Sequence, residues 1–258
     1  KMNAAGNDFI IIDDRSLNFP LNNQALIKKI TCHKIGIGSD GLILFQPSKK
    51  ADIRMRFFNP DGLEVDMCGN GIRCLSKLSS HLNITSNNSN IETNSGIIKT
   101  IVNNDLVEIY FKLNSLIQRD LLIDNKYHVD AYNSGVPHVV LWVQNINGIN
   151  IEKIGSLIRN NKYFFPNGTN VTFATVIDQN TLSIRTYERG VEAETLACGT
   201  GAIAASVISV DRNLCTFPIV VNCKSGDFLK VNKFKDEIIL EGKTVFEFQG
   251  EWKNGIWV

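Results

Sequence analysis

Apolar positions along the chain follow two periods. Phe9–Asp13, Leu42–Phe45 and Arg54–Phe58 are apolar or alternate every second residue, which predicts strands. Asn59-Pro60-Asp61-Gly62 predicts a tight turn after the third strand, because Pro presets φ and Gly closes the turn. From about Gly71 to Leu82 the period becomes helical, with Ile72, Leu75, Leu78 and Leu82 on one face. Strands at Ile91–Thr93, Ile97–Val102 and Leu106–Phe111 complete the first half.

The second half reads the same way. Strands are expected at Tyr127–Tyr132, Val139–Val143, Thr172–Ile177 and Leu182–Tyr187, with an amphipathic helix over Ile151–Asn160. A second helix covers Gly201–Val210, and strands follow at Ile219–Asn222, Phe228–Val231, Glu237–Leu240 and Val245–Phe248. Ala202–Val210 is apolar on nearly every face, so this helix must be buried, with strands wrapped around it.

The segment before each Gly-started helix is repeated. Cys68-Gly69-Asn70-Gly71-Ile72 returns as Cys198-Gly199-Thr200-Gly201-Ala202, each copy after turn-rich extended sequence and before a helical pattern. The expected fold is therefore α+β: two similar halves, each a strand-rich mixed sheet wrapped around a central helix, with an active-site cleft between them. The first half is expected over residues 1–115, with the last strand, about 248–258, as a candidate addition to it. The second covers 116–247.

Composition narrows the function. The 258 residues can bury a large core, and a formal net charge of +1 creates no field that favours nucleic acid or an anionic membrane. No apolar run approaches bilayer length, and no basic segment precedes an apolar one near Lys1, so the cytoplasm and a small-molecule partner are the expectations. Native residues ahead of Lys1 and a homodimeric assembly both stay open. The six cysteines are too sparse for a disulfide scaffold and form no CxxC pair, so no metal site is expected. Cys32, Cys74, Cys215 and Cys223 read as small buried hydrophobes.

Cys68 and Cys198 read differently because each enters a helix. A helix N-terminus offers unpaired N–H groups and partial positive charge. It can bind a carboxylate, with Gly69 and Gly199 allowing close approach, and it should stabilise a thiolate and lower its pKa. Two such turns on one substrate suit inversion at an α-carbon. One sulfur removes the proton, the other returns one to the opposite face, and helix N–H groups stabilise the enediolate between. No cofactor is then required.

The longer motifs agree. The sequence closely resembles the diaminopimelate epimerase family over nearly its whole length. The resemblance is carried by Lys1-Met2-Asn3-Ala4-Ala5-Gly6-Asn7-Asp8-Phe9, Gly36-Ile37-Gly38-Ser39-Asp40-Gly41, Phe58-Asn59-Pro60-Asp61-Gly62 and Met67-Cys68-Gly69-Asn70-Gly71-Ile72-Arg73-Cys74. It continues through Pro137-His138, Phe165-Pro166-Asn167-Gly168-Thr169-Asn170-Val171, Tyr187-Glu188-Arg189-Gly190 and Glu194-Thr195-Leu196-Ala197-Cys198-Gly199-Thr200-Gly201. It implies interconversion of LL- and meso-diaminopimelate for lysine and peptidoglycan synthesis. By that resemblance Cys68 would be the base towards the LL isomer and Cys198 the acid. His138 would pair with Cys68, and Glu188 with Cys198. Gly69, Asn70, Gly199 and Thr200 would hold the reacting carboxylate. Asn7, Asn59, Asn170, Glu188 and Arg189 would recognise the ammonium and carboxylate groups. An Arg fork and Asn or Glu acceptors suit such groups on chemical grounds too. On the residues alone, Asn59 could simply open its turn, His138 could be a satisfied strand histidine, and Glu188 could pair with Arg189 at the surface. Asp8, Asp40 and Glu64 read as structural.

Three positions depart from the family pattern. Val136 stands where many members carry Asn, which removes an amide from the distal end of the substrate site. Gly190–Glu194 is one residue longer than the commonest spacing, and Gly41 has no side chain for a polar contact. Two alternatives stay open: a broader amino-acid racemase, acting on glutamate for example, or a related isomerase of the same two-half architecture, and a non-catalytic amino-acid-binding or thiol-switch protein whose facing thiols could form a disulfide.

Overall fold

The computed structural model describes residues 1–113, 117–164, 166–253, 256 and 257. The expected boundary at 115/116, Phe165 and part of the expected last strand at 248–258 lie outside the described residues. The chain forms two units, Lys1–Ile109 with Lys243–Val258, and Tyr110–Gly242.

In the first unit, strand Asn7–Asp13 runs parallel to Gly41–Gln46, which runs antiparallel to Ile53–Phe58. The two-residue strand Glu64–Val65 returns antiparallel on Ile53–Phe58, and Asn88–Thr93 joins the same strand in parallel. Gly96–Asn103 then pairs antiparallel with Asn88–Thr93. The second unit repeats this order. Pro137–Trp142 is parallel to Asn170–Asp178, which is antiparallel to Thr181–Glu188. Ala193–Thr195 returns antiparallel on Thr181–Glu188, Ile219–Asn222 joins it in parallel, and Phe228–Phe234 follows antiparallel.

Parallel neighbours need a crossover, and helices supply it. Helix α1 (Gln24–Thr31) and helix α2 (Gly69–His81) make the two crossovers of the first unit. Helix α3 (Ile151–Arg159) and helix α4 (Gly199–Asp211) make those of the second. The Cys-Gly-x-Gly echo therefore marks the same place in two copies of one plan, the start of the second crossover helix.

Helix α4 is buried from Gly201 to Ser209, as its all-round apolar sequence requires, among Val140, Leu182, Ile184, Val221, Val231 and Leu240. Helix α2 is buried along Ile72, Cys74 and Leu75, and also along Arg73, Ser76 and Ser79. Its serines are satisfied locally: the Ser76 hydroxyl lies 2.7 Å from that of Thr100, and Ser79 donates to the Ser76 carbonyl at 3.0 Å.

The two-part, strand-rich α+β expectation holds, with differences in detail. Both Cys-started helices begin at the first Gly after the cysteine, two residues earlier than expected, because the extended cysteine is itself the cap. Helix α1 and the strands Met2–Ala4, Glu64–Val65, Ile117–Ile123 and Ala193–Thr195 are additions. Cys74 and Cys215 are buried, whereas Cys32 and Cys223 are only partly so. The reason is that Cys32 caps the C-terminus of α1 and Cys223 sits in the turn closed by Asp227. Among the described residues no helix is long and apolar enough to cross a membrane, and no cluster of His, Cys, Asp and Glu has the arrangement to hold a metal ion.

Candidate active site

Each unit presents one cysteine at a helix N-cap. Cys68 (φ −139°, ψ 117°) and Cys198 (φ −130°, ψ 108°) have the extended backbone usual for caps, yet neither side chain makes the regular cap bond to its helix. Neither helix has an acidic residue in its first turn. The thiol is thus left for other partners, and the first-turn N–H groups remain suited to an anion.

The approach to each turn is fixed by one ion pair repeated at matching positions. Arg56 grips Glu64 through Nε at 2.8 Å and Nη2 at 2.5 Å. Arg185 grips Glu194 through Nε at 2.6 Å and Nη2 at 2.7 Å. Both pairs tie the third strand to the short strand that leads into the cysteine. Such forked contacts are geometrically specific, and they explain how two- and three-residue strands hold their register. Glu64 and its counterpart Glu194 are in this sense framework residues.

The third residue after each cysteine faces the sheet. A Cβ on Gly71 would lie 2.9 Å from Ile43 Cδ1 and 3.0 Å from Met55 Cε. One on Gly201 would lie 2.8 Å from Thr172 Oγ1 and 3.0 Å from Thr186 Oγ1. The first pair are ends of flexible side chains, and the second are short β-branched hydroxyls joined to each other at 3.3 Å. We expect Gly201→Ala to destabilise the fold by about 1–3 kcal/mol and Gly71→Ala by less. Urea unfolding of the two variants checks the order.

Two amides lie beside Cys68. The thiol donates to Asn7 Oδ1 at 3.9 Å, and Asn70 Nδ2 donates to the same oxygen at 3.3 Å. Asn7 in turn donates through Nδ2 to Asp40 Oδ2 at 2.8 Å, and Asp8 N–H donates to that oxygen at 3.1 Å. Asp8 pairs with Lys1 Nζ at 2.6 Å. Of the residues expected to act near Cys68, the structure brings together Asn7, Gly69 and Asn70. Asn59 opens the turn as its sequence suggested, its N–H donating to the Leu63 carbonyl at 2.9 Å.

Around Cys198 the groups are hydroxyls, an imidazole and a carboxylate. Thr200 Oγ1 lies 3.4 Å from the Cys198 sulfur and 2.9 Å from His138 Nε2. The other ring nitrogen, Nδ1, lies 3.2 Å from Thr172 Oγ1. His138 is buried, and burial, aided by the nearby Arg189 charge, pushes its pKa down to about 3, so the ring is neutral. Glu188 accepts from Thr195 Oγ1 at 2.6 Å and from the Cys198 thiol. Burial raises the Glu188 carboxyl above its usual range despite those two donors.

The Cys198 thiol corrects one expectation. A helix N-terminus was expected to lower the pKa of both thiols, but that of Cys198 is raised well above the usual value. Burial is the first cause and the Glu188 charge the second, and together they outweigh the Thr200 hydroxyl and the Gly201 N–H. Cys198 is therefore a thiol at neutral pH, the form a proton donor needs.

Asn170 and Arg189 form a separate small group. Arg189 N–H donates to Asn170 Oδ1 at 2.8 Å, Asn170 Nδ2 donates to the Pro137 carbonyl at 3.1 Å, and Arg189 Nη1 donates to the Asn167 carbonyl at 3.2 Å. The longer Gly190–Glu194 segment is held by Glu192, which takes Arg159 Nη2 at 2.8 Å and the Gly190 N–H at 3.0 Å. His138 bonds within its own unit, to Thr200 and Thr172. The hydroxyls of Thr172, Thr186 and Thr195 were missed in the sequence. Their signal was a polar residue at an inward position of an otherwise apolar strand: Thr172 and Thr186 sit opposite each other in register, both buried.

The sequence relatives of this chain, which repeats one strand–helix plan with a thiol at the same helix start in each copy, make it an isomerase. A PhzF-family phenazine biosynthesis protein from Bacillus anthracis has the same fold, with a TM-score of 0.72 and 16% identity over 95% of each chain. The chain belongs to the diaminopimelate epimerase family, whose model matches residues 1–113 and 131–246. It is 35% identical to the diaminopimelate epimerase of Aquifex aeolicus, over 97% of this chain and 95% of the relative. It is 38% identical to that of Chlorobaculum tepidum, over 96% of this chain and 98% of the relative.

Proposed function

We propose that the chain is a cofactor-independent epimerase in which Cys68 and Cys198 interconvert LL- and meso-2,6-diaminopimelate, in the cytoplasm and on the route to lysine and peptidoglycan. The observation that carries this reading is the occurrence of a cysteine thiol at the same helix N-cap in both copies of the fold. A single such thiol could bind or be oxidised. Two of them supply the base and the acid that inversion needs.

In the LL direction, the Cys68 thiolate takes the α-proton and the C–H electron pair moves into the carboxylate as an enediolate. The Cys198 thiol delivers a proton to the opposite face, leaving Cys68 protonated and Cys198 as the thiolate. The meso direction runs the same steps in reverse. Helix N–H groups at Gly69-Asn70 and Gly199-Thr200 stabilise the enediolate. Glu188, already bonded to Cys198, exchanges a proton with it, and neutral His138 serves as a further proton-transfer helper. Asn7, Asn59, Asn170 and Arg189 recognise the ammonium and carboxylate groups of this small amino-acid substrate. The working assembly is proposed to be a homodimer.

The test is proton NMR of LL-diaminopimelate with reduced protein in heavy water, with L-glutamate in parallel. Loss of the α-proton signal with appearance of the meso isomer supports the reading. Exchange on glutamate alone assigns a broader racemase, and no exchange on either substrate rejects the reading.

Val136 bears on substrate breadth. It is half-buried in the turn before His138, and its carbonyl accepts from the Ser134 N–H at 3.2 Å. An Asn there would add an amide that only a substrate with a distal polar centre can use. We expect Val136→Asn to raise the preference for diaminopimelate over glutamate about tenfold or more, since buried polar groups reject partners that leave them unpaired. Parallel kcat/KM values for the two substrates check it, and an unchanged ratio rejects a role for this position.

A further inference from the structure

Arg73 lies in the first turns of α2 and is fully buried, at 0% exposure. A charged side chain at a core position of a helix is costly to bury, and its contacts show what it holds. Its Nη2 donates to Asn70 Oδ1 at 2.7 Å. A guanidinium is only a donor, so Asn70 must turn its oxygen towards Arg73 and its Nδ2 the other way. That Nδ2 donates to Asn7 Oδ1 at 3.3 Å. At the far end, Asp40 Oδ2 accepts from Asn7 Nδ2 at 2.8 Å and from the Asp8 N–H at 3.1 Å, so this atom must be an acceptor. Both amides are thereby locked in one orientation, and Asn7 Oδ1 is the atom shared by Asn70 and the Cys68 thiol, which lies 3.9 Å away.

Among the described residues the second unit has no such device. The matching residues, five and two positions after the cysteine, are Ile203 and Thr200. Ile203 is buried and apolar, and the Thr200 hydroxyl, between Cys198 and His138, can rotate to donate or accept. One turn thus has a fixed hydrogen-bond polarity and the other a reversible one.

We infer that Arg73 is a positioning residue for substrate recognition: through Asn70 it fixes the polarity of an Arg73–Asn70–Asn7–Asp40 relay, so that an amide oxygen (Asn7) for ammonium and an amide N–H (Asn70) for carboxylate are presented beside Cys68. This rests on the epimerase reading above. The charged groups along the relay are Arg73 at one end and Asp40, backed by the Asp8–Lys1 pair, at the other.

The test is KM, kcat and calorimetric Kd for LL-diaminopimelate in Arg73→Met, Arg73→Lys and Asn70→Asp. Arg73→Met removes the donor and is expected to raise KM and Kd about tenfold or more, with kcat changed less, as befits loss of a charge-assisted hydrogen bond. Arg73→Lys keeps a cationic donor and is expected to stay within about threefold of the parent, on the same grounds. Asn70→Asp keeps the Arg73 contact but turns an acceptor towards Asn7, reversing the polarity. A tenfold or larger rise in KM is expected there as well. Unchanged KM in Asn70→Asp overturns the inference, whether or not Arg73→Met folds, and so does equal damage by Lys and Met. If the parent neither binds nor turns over LL-diaminopimelate, the epimerase reading fails. If the parent does both and the variants match it, only the relay fails.

Discussion

In the Cys198→Ala variant, LL-diaminopimelate is expected to exchange its α-proton with solvent deuterium while keeping its configuration, and epimerisation falls by about 10²–10⁴-fold. In the proposed mechanism Cys68 still removes the proton in this variant and, once its thiol has exchanged with solvent, returns a deuteron to the face it came from. Inversion needs a donor on the other face, which Ala cannot supply. Cys68→Ala should give the complementary result, exchange into the meso isomer without inversion. Collapse of the fold is not the expected cause of either loss. Neither thiol makes the regular cap bond to its helix, so Ala removes one sulfur and, at Cys198, only its contacts with Thr200, the Gly201 N–H and Glu188. Proton NMR in heavy water, with the isomers separated by chiral chromatography, measures exchange and inversion independently. Retained inversion in either single variant would remove that cysteine from the mechanism.

The parts of this site that could be read from sequence are those with a local signature. The Cys-Gly-x-Gly echo is local, and so is the apolar character of Ala202–Val210, and both located a helix correctly to within two residues. Glu64–Val65 and Ala193–Thr195 have no such signature. They are too short and too polar for a period, and their pairing depends on Arg56 and Arg185, eight and nine residues from their acidic partners. Helix α1 did leave a trace, Asn23 as cap and Leu26, Ile27 and Ile30 at helical spacing, but it is only eight residues long.

Arg73 and the Cys198 thiol show a different limit. A sequence gives residue type and helix position, from which a lowered thiol pKa follows at any helix start. Burial depends on strands distant in sequence, and at Cys198 burial acts first and in the opposite direction. Likewise, Arg73 reads as part of a helix until the three-dimensional fold buries it against Asn70.

The same raised thiol yields the sharpest test of Glu188. Its carboxylate accepts the Cys198 proton and, as a nearby negative charge, disfavours the thiolate. Glu188→Gln removes the charge and keeps the shape. The sign follows directly: without that repulsion the Cys198 thiol ionises at lower pH, though burial still holds it up. We expect alkylation of Cys198 by iodoacetamide, normalised to its own rate at high pH, to increase at neutral pH in the variant. The alkaline limb of LL turnover, which in the proposed mechanism requires a protonated Cys198, should move to lower pH. Turnover itself should fall by about 10²-fold or more, because Gln cannot exchange the proton that Cys198 is proposed to gain or lose in each cycle. Faster alkylation with slower turnover separates the two roles of Glu188, setting the resting proton and relaying it. Slower turnover with an unchanged alkylation profile would instead assign Glu188 to substrate binding alone.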